Sequence, residues 1–404
     1  MALTPSTGFM TANAFVSGSL TKLDEVDCSD VLAAVLMADR ELLGHIKMGA
    51  PAHNVEFQWI EDALNPCTFE ALMDDTSVTI TIITSFTGTA SVANMLREGT
   101  IIAPMDRIVG STFMIRITSA VAATEAVCAS YGSTTWVSVT ATLTWMVVAS
   151  PYKDTDDASE DISLGRTGRR NFMQVFERSV GIDQTRKNIS MLAITDELQH
   201  QIKMRTLEIK RELDLSVIQG LPYHNGTSYT ADYNLRTMRG IYWFLRDPNE
   251  DKTKEDTMVT SIGGALTVGV INDLAYKIYE AGGLDESSDP IIVVPPNQQR
   301  VISSFDKDIR RVEQGERQVG YYRDIFLSDM GKEMPVVMDR WLPSHALLIL
   351  DRSRMFLRPL QGDSWHMEKM AKTGRHEKWQ ISGQYGLEFH NPDTCHGMLL
   401  ELTG

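Results

Sequence analysis

The chain has 404 residues, a net charge of −15, and ordinary shares of apolar (43%) and charged (23%) residues. Its length exceeds what one hydrophobic core usually organises, so two or three globular domains are expected. The excess of carboxylates argues against a protein that wraps nucleic acid, because neutralising phosphates requires clustered Lys and Arg.

The four cysteines, Cys28, Cys67, Cys128 and Cys395, are isolated in the sequence. They form no CxxC pair, which favours reduced buried thiols over a disulfide framework or a zinc site. The N-terminus lacks the charged-then-apolar pattern of a signal peptide. The longest apolar runs are far shorter than the ~20 residues of a membrane span. We therefore expect a protein made in the cytoplasm that does not enter a membrane.

The chain up to residue 64 predicts three different local structures in turn. Residues 1–30 are rich in Ser, Thr and Gly and predict an extended arm, and residues 30–43 predict a short helix capped by Ser29 or Asp30. Residues 54–64 alternate, with Val55, Phe57 and Trp59 on one side, which predicts a strand.

A Ser/Thr-rich segment follows, from Pro66 to Ser150. It holds 25 Ser plus Thr and only 9 charged residues in 85 positions, with no Lys. Its β-branched, alternating stretches are separated by glycines, which predicts a compact all-β module of about six short strands. The next segment, Tyr152 to Asp161, carries five carboxylates against one Lys and predicts an acidic link.

Residues 170–189 predict extended chain, and the longest helix is predicted over 190–219, where neither Gly nor Pro occurs. Its apolar residues form one stripe at helical spacing, and Gly220 and Pro222 end it. The remaining chain predicts mixed α/β structure. The run Ile241–Phe244 is interpreted as a core or interface strand. Further helices are predicted over 265–281 and 295–305, and further strands over 291–294, 334–338, 346–350, 379–384 and 398–402.

Sequence motifs for catalysis are absent. The chain contains no GxxxxGK[ST], GxGxxG or GxSxG motif. His366, His376, His390, Cys395 and His396 lie near one another, but their spacing fits no ligand pattern, so a structural role is favoured. The basic pairs Arg169–Arg170 and Arg310–Arg311 lack interleaved aromatics and favour intersubunit salt bridges over nucleic-acid contacts. We predict no catalytic, cofactor-binding or metal-binding residue, and no enzyme.

Several segments, in order, resemble one family of tailed-phage major head proteins. Residues 169–189 contain an N-x-x-Q-[IV]-F element, here Asn171, Gln174, Val175 and Phe176, and the helix from Asp196 resembles that family's spine helix. The segments LLILDRSRMFLRPL (347–360) and EKMAKTGRHEKW (368–379) are similar to its D…LRP and A-K-T-G segments, although Arg375 stands where an acidic residue is expected.

This resemblance implies an α+β protein with the Hong Kong 97-type capsid fold plus an inserted all-β module. The implied divisions are an N-terminal arm (1–50), an outgoing strand of an extended loop (51–65), the β-module (66–150), an acidic link with the returning strand (151–189), a peripheral domain with the spine helix (190–260), an axial domain (261–345), and a return to both domains (346–404).

The resemblance also implies a function. Such proteins form hexamers and pentamers of an icosahedral head around double-stranded DNA, in the virion, after assembly in the host cytoplasm. The expected partners are other copies of the chain, scaffolding and portal proteins, possible decoration proteins, and DNA bound without sequence preference. An acidic wall suits this role, because it encloses a polyanion without adhering to it.

The large apolar residues of the predicted extended loop are the candidate intersubunit contacts, because a two-stranded ribbon is marginal alone and a neighbour could bury them. They are Phe57, Trp59, Phe172, Phe176 and Val180. Two alternatives stay open: an encapsulin-like compartment shell, which would lack the β-module and need an enzyme cargo, and a glycan-binding or hydrolytic protein centred on that module.

Overall fold

The structure is a computed structural model that describes fourteen stretches of the chain. They are residues 42–62, 67–73, 79–85, 96–105, 114–122, 125–131, 143–151, 166–185, 196–222, 236–246, 258–305, 310–314, 322–371 and 374–403. The predicted arm (1–30) and most of the predicted N-terminal helix (30–43) lie outside these residues.

The described residues contain twenty strands. In chain order they are β1 Lys47–Met48, β2 Glu56–Glu61, β3 Thr68–Met73, β4 Thr79–Ser85, β5 Ile101–Pro104, β6 Ile115–Ala122, β7 Glu125–Ser130, β8 Leu143–Ala149, β9 Thr167–Phe172, β10 Gln174–Asp183, β11 Val259–Ser261, β12 Pro290–Val294, β13 Arg310–Gln314, β14 Tyr322–Leu327, β15 Glu333–Met338, β16 Leu347–Asp351, β17 Met355–Pro359, β18 His366–Lys369, β19 His376–Phe389 and β20 Gly397–Leu400.

Four α-helices accompany these strands in the described stretches. They are α1 Glu197–Gln219, α2 Ile241–Arg246, α3 Val268–Glu280 and α4 Pro296–Ile302, with 3-10 turns at Leu42–His45 and Arg352–Arg354. The mixture of helix and strand confirms the α+β expectation.

A two-stranded ribbon and a closed barrel follow each other along the first part of the chain. Strands β2 and β9 pair antiparallel, from Glu56 opposite Phe172 to Glu61 opposite Thr167. The six strands between them in sequence close into a barrel in the order β3-β4-β7-β6-β5-β8. Alternate residues fill the barrel with a separate apolar core that includes Phe69 and Trp145. The six barrel strands of the described residues agree with the about six short strands that the alternation of β-branched residues predicts.

A five-stranded sheet has the strand order β1-β17-β19-β10, and β18 also pairs with β19. Strand β10 lies at one edge of this sheet, beside the fourteen-residue β19. Strand β10 buries alternate residues, among them Phe176, Val180 and Ile182. Helix α1 packs on β10 and buries Ile209, Leu213 and Val217, which belong to the apolar stripe predicted for it.

Seven strands form the third sheet, in the order β11-β20-β16-β12-β15-β14-β13. Every residue of the central strands β12 and β16 is buried, as expected for strands covered on both faces. Ile291 and Val293 of β12 face the larger core, whereas Ile292 and Val294 face a second core under α3. Because successive side chains of a strand point to opposite faces of the sheet, β12 contributes to the cores on both sides of this sheet.

Helix α1 confirms the predicted long helix but begins at Glu197, where Asp196 accepts hydrogen bonds from the backbone N–H groups of Leu198 and Gln199. At ~1.5 Å per residue its 23 residues span about 35 Å. The helix is therefore shorter than the one predicted over 190–219. The other predicted helices and strands of the C-terminal region are confirmed with ends shifted by at most three residues, except that the strand predicted over 379–384 is the much longer β19, His376–Phe389.

The strand interpretation of Ile241–Phe244 is wrong, because this run begins helix α2. Ile241, Phe244 and Leu245 are buried at positions i, i+3 and i+4, which is one face of a helix. Four consecutive apolar residues do not by themselves distinguish a buried strand from a buried helix, and here the helix is fully packed against α1 and the ribbon.

Candidate functional site

The five candidate contact residues are already buried inside the single chain. Phe57 and Trp59 are 6% exposed, Phe172 9%, Val180 4% and Phe176 0%. A neighbouring subunit is therefore not required to bury them, because other segments of the same chain already cover them. Whether a neighbour also touches them stays a prediction.

The inner face of the ribbon packs on aromatic rings from α2 and from His390, the residue that directly follows β19. The ring centroid of Trp59 lies 5.9 Å from those of Phe57, Phe244 and His390. A Cβ added at Gly386 would lie 2.6 Å from Phe57 Cε1. Strand β19 therefore needs a glycine where the Phe57 ring crosses it.

A buried ion pair holds the two strands of the ribbon to each other and to the loop after β19. We call Glu61, Arg169, Asn391 and Asp393 the ribbon anchor. Glu61 Oε2 accepts from Arg169 Nε at 3.0 Å, and Glu61 Oε1 accepts from the backbone N–H of Asn391 at 2.7 Å. Arg169 also donates to Asp393 Oδ2 at 3.1 Å. Both charges are shielded from water and hydrogen-bonded, the arrangement in which removing one partner is costly.

The N-x-x-Q-[IV]-F element joins strands β9 and β10 to the segment before α2. Asn171 Nδ2 donates to the carbonyl oxygens of Arg239 and Leu387, and its Oδ1 accepts from the backbone N–H of Arg239 at 2.8 Å. Gln174 Oε1 accepts from the backbone N–H of Met238, and its Nε2 donates to Ser216 Oγ in α1. These amides satisfy backbone groups that a loop inside the core would otherwise leave unpaired.

Helix α1 and the segment before α2 meet at two glycines. The backbone N–H of Gly240 donates to the carbonyl oxygen of Gly220 at 2.8 Å. A Cβ added at Gly220 would lie 2.6 Å from the carbonyl oxygen of Met238, and one at Gly240 would lie 2.6 Å from the Gly220 nitrogen. Only glycines allow this approach, so the end of α1 is tied to the same segment that Asn171 and Gln174 hold.

A second buried polar pair, Asp351 and His396, lies where β16 ends. The backbone N–H of Asp351 donates to His396 Nδ1 at 3.1 Å, so the ring proton lies on Nε2 and faces the His390 carbonyl oxygen at 3.1 Å. Burial lowers the pKa of His396 to about 3, against the opposing charge of Asp351. Although burial raises the pKa of Asp351, hydrogen bonds from Ser353 and Asp289 bring it below its usual range. His396 is therefore neutral and fully satisfied inside the fold.

The two buried thiols of the described residues, Cys128 and Cys395, are not activated. Burial raises the pKa of Cys128 to about 12 and also raises the pKa of Cys395, the opposite of what a nucleophilic thiolate requires. No group of three or more His, Cys, Asp or Glu in the described stretches could hold a metal ion. No helix in the same stretches is long and apolar enough to cross a membrane. His366, His390, His396 and Cys395 make hydrogen bonds within the chain.

The comparison with protein families decides what these structural features belong to. The model of the SU10 major capsid protein family matches residues 7–403, almost the whole chain. The chain belongs to this family. The resemblance to phage major head proteins is thereby confirmed. This interpretation is favoured over the encapsulin-like and glycan-binding alternatives.

Other similarities agree with membership of the SU10 major capsid protein family. The major capsid protein of Escherichia phage Phieco32 is 23% identical over 283 residues, which cover 58% of this chain and 76% of that protein. Among solved structures, the capsid of an empty GTA particle has a TM-score of 0.51 at 11% identity, covering 98% of this chain and 100% of that one. The capsid of cyanophage A-1(L) has a TM-score of 0.50 at 11% identity, covering 95% and 99%. These two likenesses show the fold, which is that of phage capsid subunits of the Hong Kong 97 type.

Sequence reasoning found the family's elements but missed the residues that hold them together. The sequence indicates no individual role for Glu61, Arg239 or Gly386 and only a general structural one for His396, because the partners that define their roles lie 45 to 330 positions away. Arg169 was assigned to an intersubunit salt bridge, and the structure pairs it within the chain. The sequence does contain a signal for this pairing. Glu61 lies in the strand predicted over 54–64 and Arg169 lies directly before the extended chain predicted over 170–189, and a charge that such strands bury requires a partner.

Proposed function

We propose that copies of this chain form the hexamers and pentamers of an icosahedral phage head that encloses double-stranded DNA. The observation that carries this proposal is the family match over residues 7–403. Membership of the capsid protein family supports self-association. The numbers of copies in each ring, six and five, are part of this proposal. The protein acts as a wall rather than a catalyst.

We further propose the division into functional parts. Residues 1–50 serve as an arm, 51–65 and 151–189 as the two sides of an extended loop, and 66–150 as an inserted module. The spine helix belongs to a peripheral domain (190–260) and residues 261–345 to an axial domain, with 346–404 returning to both. The support is connectivity: the chain leaves the ribbon at Glu61 and returns at Thr167, with the barrel between. An insertion is tolerated where its ends lie close together on a loop.

The barrel is the part of the chain suited to contacts outside the shell. Its strands close on themselves, so they offer no free sheet edge for further pairing. Side-chain contacts with a decoration protein or a neighbouring ring are therefore the interactions that this module can make. Replacing residues 63–165, which contain the module, with a short glycine linker between Asp62 and Arg166 should leave assembly intact and remove only such contacts.

The remaining partners follow from the proposed assembly. Scaffolding and portal proteins take part while the head forms in the host cytoplasm, and the virion is the final location. Contact with DNA is non-specific and weak, because a chain with a net charge of −15 releases few counterions from phosphate. A nearly flat dependence of subunit–DNA binding on salt concentration would support this view, and a steep dependence would contradict it.

The direct test is sedimentation of the purified chain, made with and without its scaffolding protein. Rings or shells many times heavier than the 45.1 kDa chain are expected. A sharp boundary at the mass of one chain, at high concentration and with the scaffold present, would overturn the proposal.

A further inference from the structure

The outer face of the ribbon carries an exposed isoleucine beside a glycine. Alternate residues of β2 and β9 point away from the packed inner face and form this outer face, which Asp62 and Arg166 continue just beyond the strands: Glu56, Gln58, Ile60, Asp62, Arg166, Gly168 and Arg170. Ile60 is 66% exposed, more than any other large apolar side chain of the described stretches. Its partner across the ribbon is Gly168, where an added Cβ would meet no atom within 4 Å. An apolar projection therefore lies directly beside an open gap.

The charges of the outer face are divided between its two strands. Asp62, which follows β2, pairs with Arg166 at 3.4 Å, and Glu56 of β2 pairs with Arg170 of β9 at 3.6 Å. The carboxylates therefore lie on the β2 side and the guanidinium groups on the β9 side. The Asp62–Arg166 pair is open to solvent, with side chains 63% and 69% exposed. Because a guanidinium group has several N–H donors, each arginine can bind a second carboxylate without leaving the first.

The two strands of the outer face are complementary to each other, and this determines how two copies can meet. A two-fold axis parallel to the strands places β2 of one copy over β9 of the other. Ile60 then lies over the gap at Gly168 of the other copy, Asp62 meets Arg166, and each contact occurs twice. A two-fold axis across the strands would instead place β2 over β2, with carboxylates against carboxylates and the gap at Gly168 unfilled. Charge and shape both favour the first arrangement.

We infer that two copies of this chain pack the outer faces of their ribbons together about such an axis, with Ile60 of each copy filling the gap at Gly168 of the other. This inference rests on the proposed function. Neighbours within a ring make head-to-tail contacts, so a two-fold contact joins copies of two different rings. The ribbon anchor and the aromatic packing hold the ribbon in place before the copies meet. Because the outer face is small, the contact is weak between two free copies and adds up when many copies share one shell.

The first experiment mixes two full-length chains of opposite charge at this face, in the presence of the scaffolding protein. Asp62→Arg leaves two guanidinium groups at one end of the face, and Arg166→Asp leaves two carboxylates there. Each variant alone should lower the assembled fraction, measured by sedimentation, on the order of tenfold, because like charges then meet. An equal mixture of the two should regain most of its assembly. The pair within each chain stays broken in the mixture, so this recovery reports a contact between copies.

The control for this experiment mixes each variant with the unchanged chain. Such a mixture restores only one of the two opposed pairs in each contact, so it should recover less than the mixture of the two variants. Equal recovery in both kinds of mixture would contradict the pairing of Asp62 with Arg166 of the other copy.

The second experiment moves the apolar projection and keeps every charge. Gly168→Ile fills the gap, and its Cβ meets no atom of its own chain within 4 Å. Thermal unfolding of the unassembled subunit should therefore change little, whereas the assembled fraction should fall on the order of tenfold. Ile60→Ala/Gly168→Ile exchanges projection and gap between the strands and should regain most of its assembly. Circular dichroism verifies folding, and these two variants carry the test if a charge variant fails to fold.

The outcomes separate this inference from the proposed function. Normal assembly of the charge variants and of Gly168→Ile would overturn the inference and leave the proposed function intact. The same holds if neither the mixture nor the exchanged chain recovers. Failure of the unchanged chain to assemble would instead overturn the proposed function, and this inference with it.

Discussion

Glu61 and Arg169 form an ion pair across the ribbon, with 3.0 Å between Oε2 and Nε and both side chains almost entirely buried. The pair lies at the end of the ribbon from which the chain leaves for the barrel. It also ties the ribbon to the loop after β19 through Asn391 and Asp393. The ribbon is thus fixed to the subunit by its own charges as well as by its aromatic residues.

Removal of Arg169 should destabilise the subunit strongly. Arg169→Met leaves the Glu61 carboxylate buried without its cation, which costs about 3–5 kcal/mol of the free energy of unfolding. Urea unfolding of the unassembled chain measures this loss. Arg170→Met is the matched control, because Arg170 meets Glu56 at 3.6 Å with both side chains partly exposed, and its loss should cost below about 1 kcal/mol. Equal effects of the two substitutions would contradict the ribbon anchor.

Acid should destabilise the fold through His396. The unfolded chain binds a proton at this histidine below about pH 6.5, whereas burial lowers the pKa in the folded chain to about 3. The folded state excludes that proton, so the free energy of unfolding falls as pH falls between these values. The slope from this residue approaches ~1.4 kcal/mol per pH unit.

Between about pH 6.5 and 4.5, Asp351 and Glu388 still contribute to stability, because their pKa values are lowered and their contribution is lost only at lower pH. Unfolding measured across that window should depend less on pH in His396→Asn than in the unchanged chain. A pH dependence that is the same in both chains would show that His396 titrates normally.

Gly386 is required by the ring of Phe57. Gly386→Ala places a Cβ within 2.6 Å of that ring and should cost about 1–3 kcal/mol by overpacking. Phe57→Leu in the same chain should recover part of that loss by making room. Gly168→Ala, in the other strand of the ribbon, meets no atom within 4 Å and should be nearly neutral. Thermal unfolding of these three variants and of the unchanged chain tests this, and a harmless Gly386→Ala would refute the packing described.

Phe176 belongs to the internal core of the subunit. It is completely buried and its ring lies 6.3 Å from that of Trp365. Phe176→Ala should therefore cost about 3–5 kcal/mol in the unassembled chain. Val175→Ala, its neighbour on the exposed face of β10, should cost far less. A stable Phe176→Ala subunit that merely fails to assemble would restore the intersubunit role expected from the sequence.

Local patterns in the sequence predict most of the strands and the long helix, because alternation and the helical stripe are properties of neighbouring residues. Partners distant in sequence are not predicted this way. Trp59 is covered by Phe244 and His390, and Phe176 by Trp365. The sequence identifies such residues as apolar and in need of burial, but whether the same chain or another copy buries them depends on tertiary structure. The run Ile241–Phe244 is ambiguous for a related reason, since its length suits either element.

We propose that this chain builds a closed shell. Electron microscopy of the chain produced together with its scaffolding protein tests it most directly. The expected result is closed particles with icosahedral symmetry, whose wall contains this fold with its seven-stranded sheets arranged in rings. Images that show only dispersed single subunits under those conditions would contradict the claim.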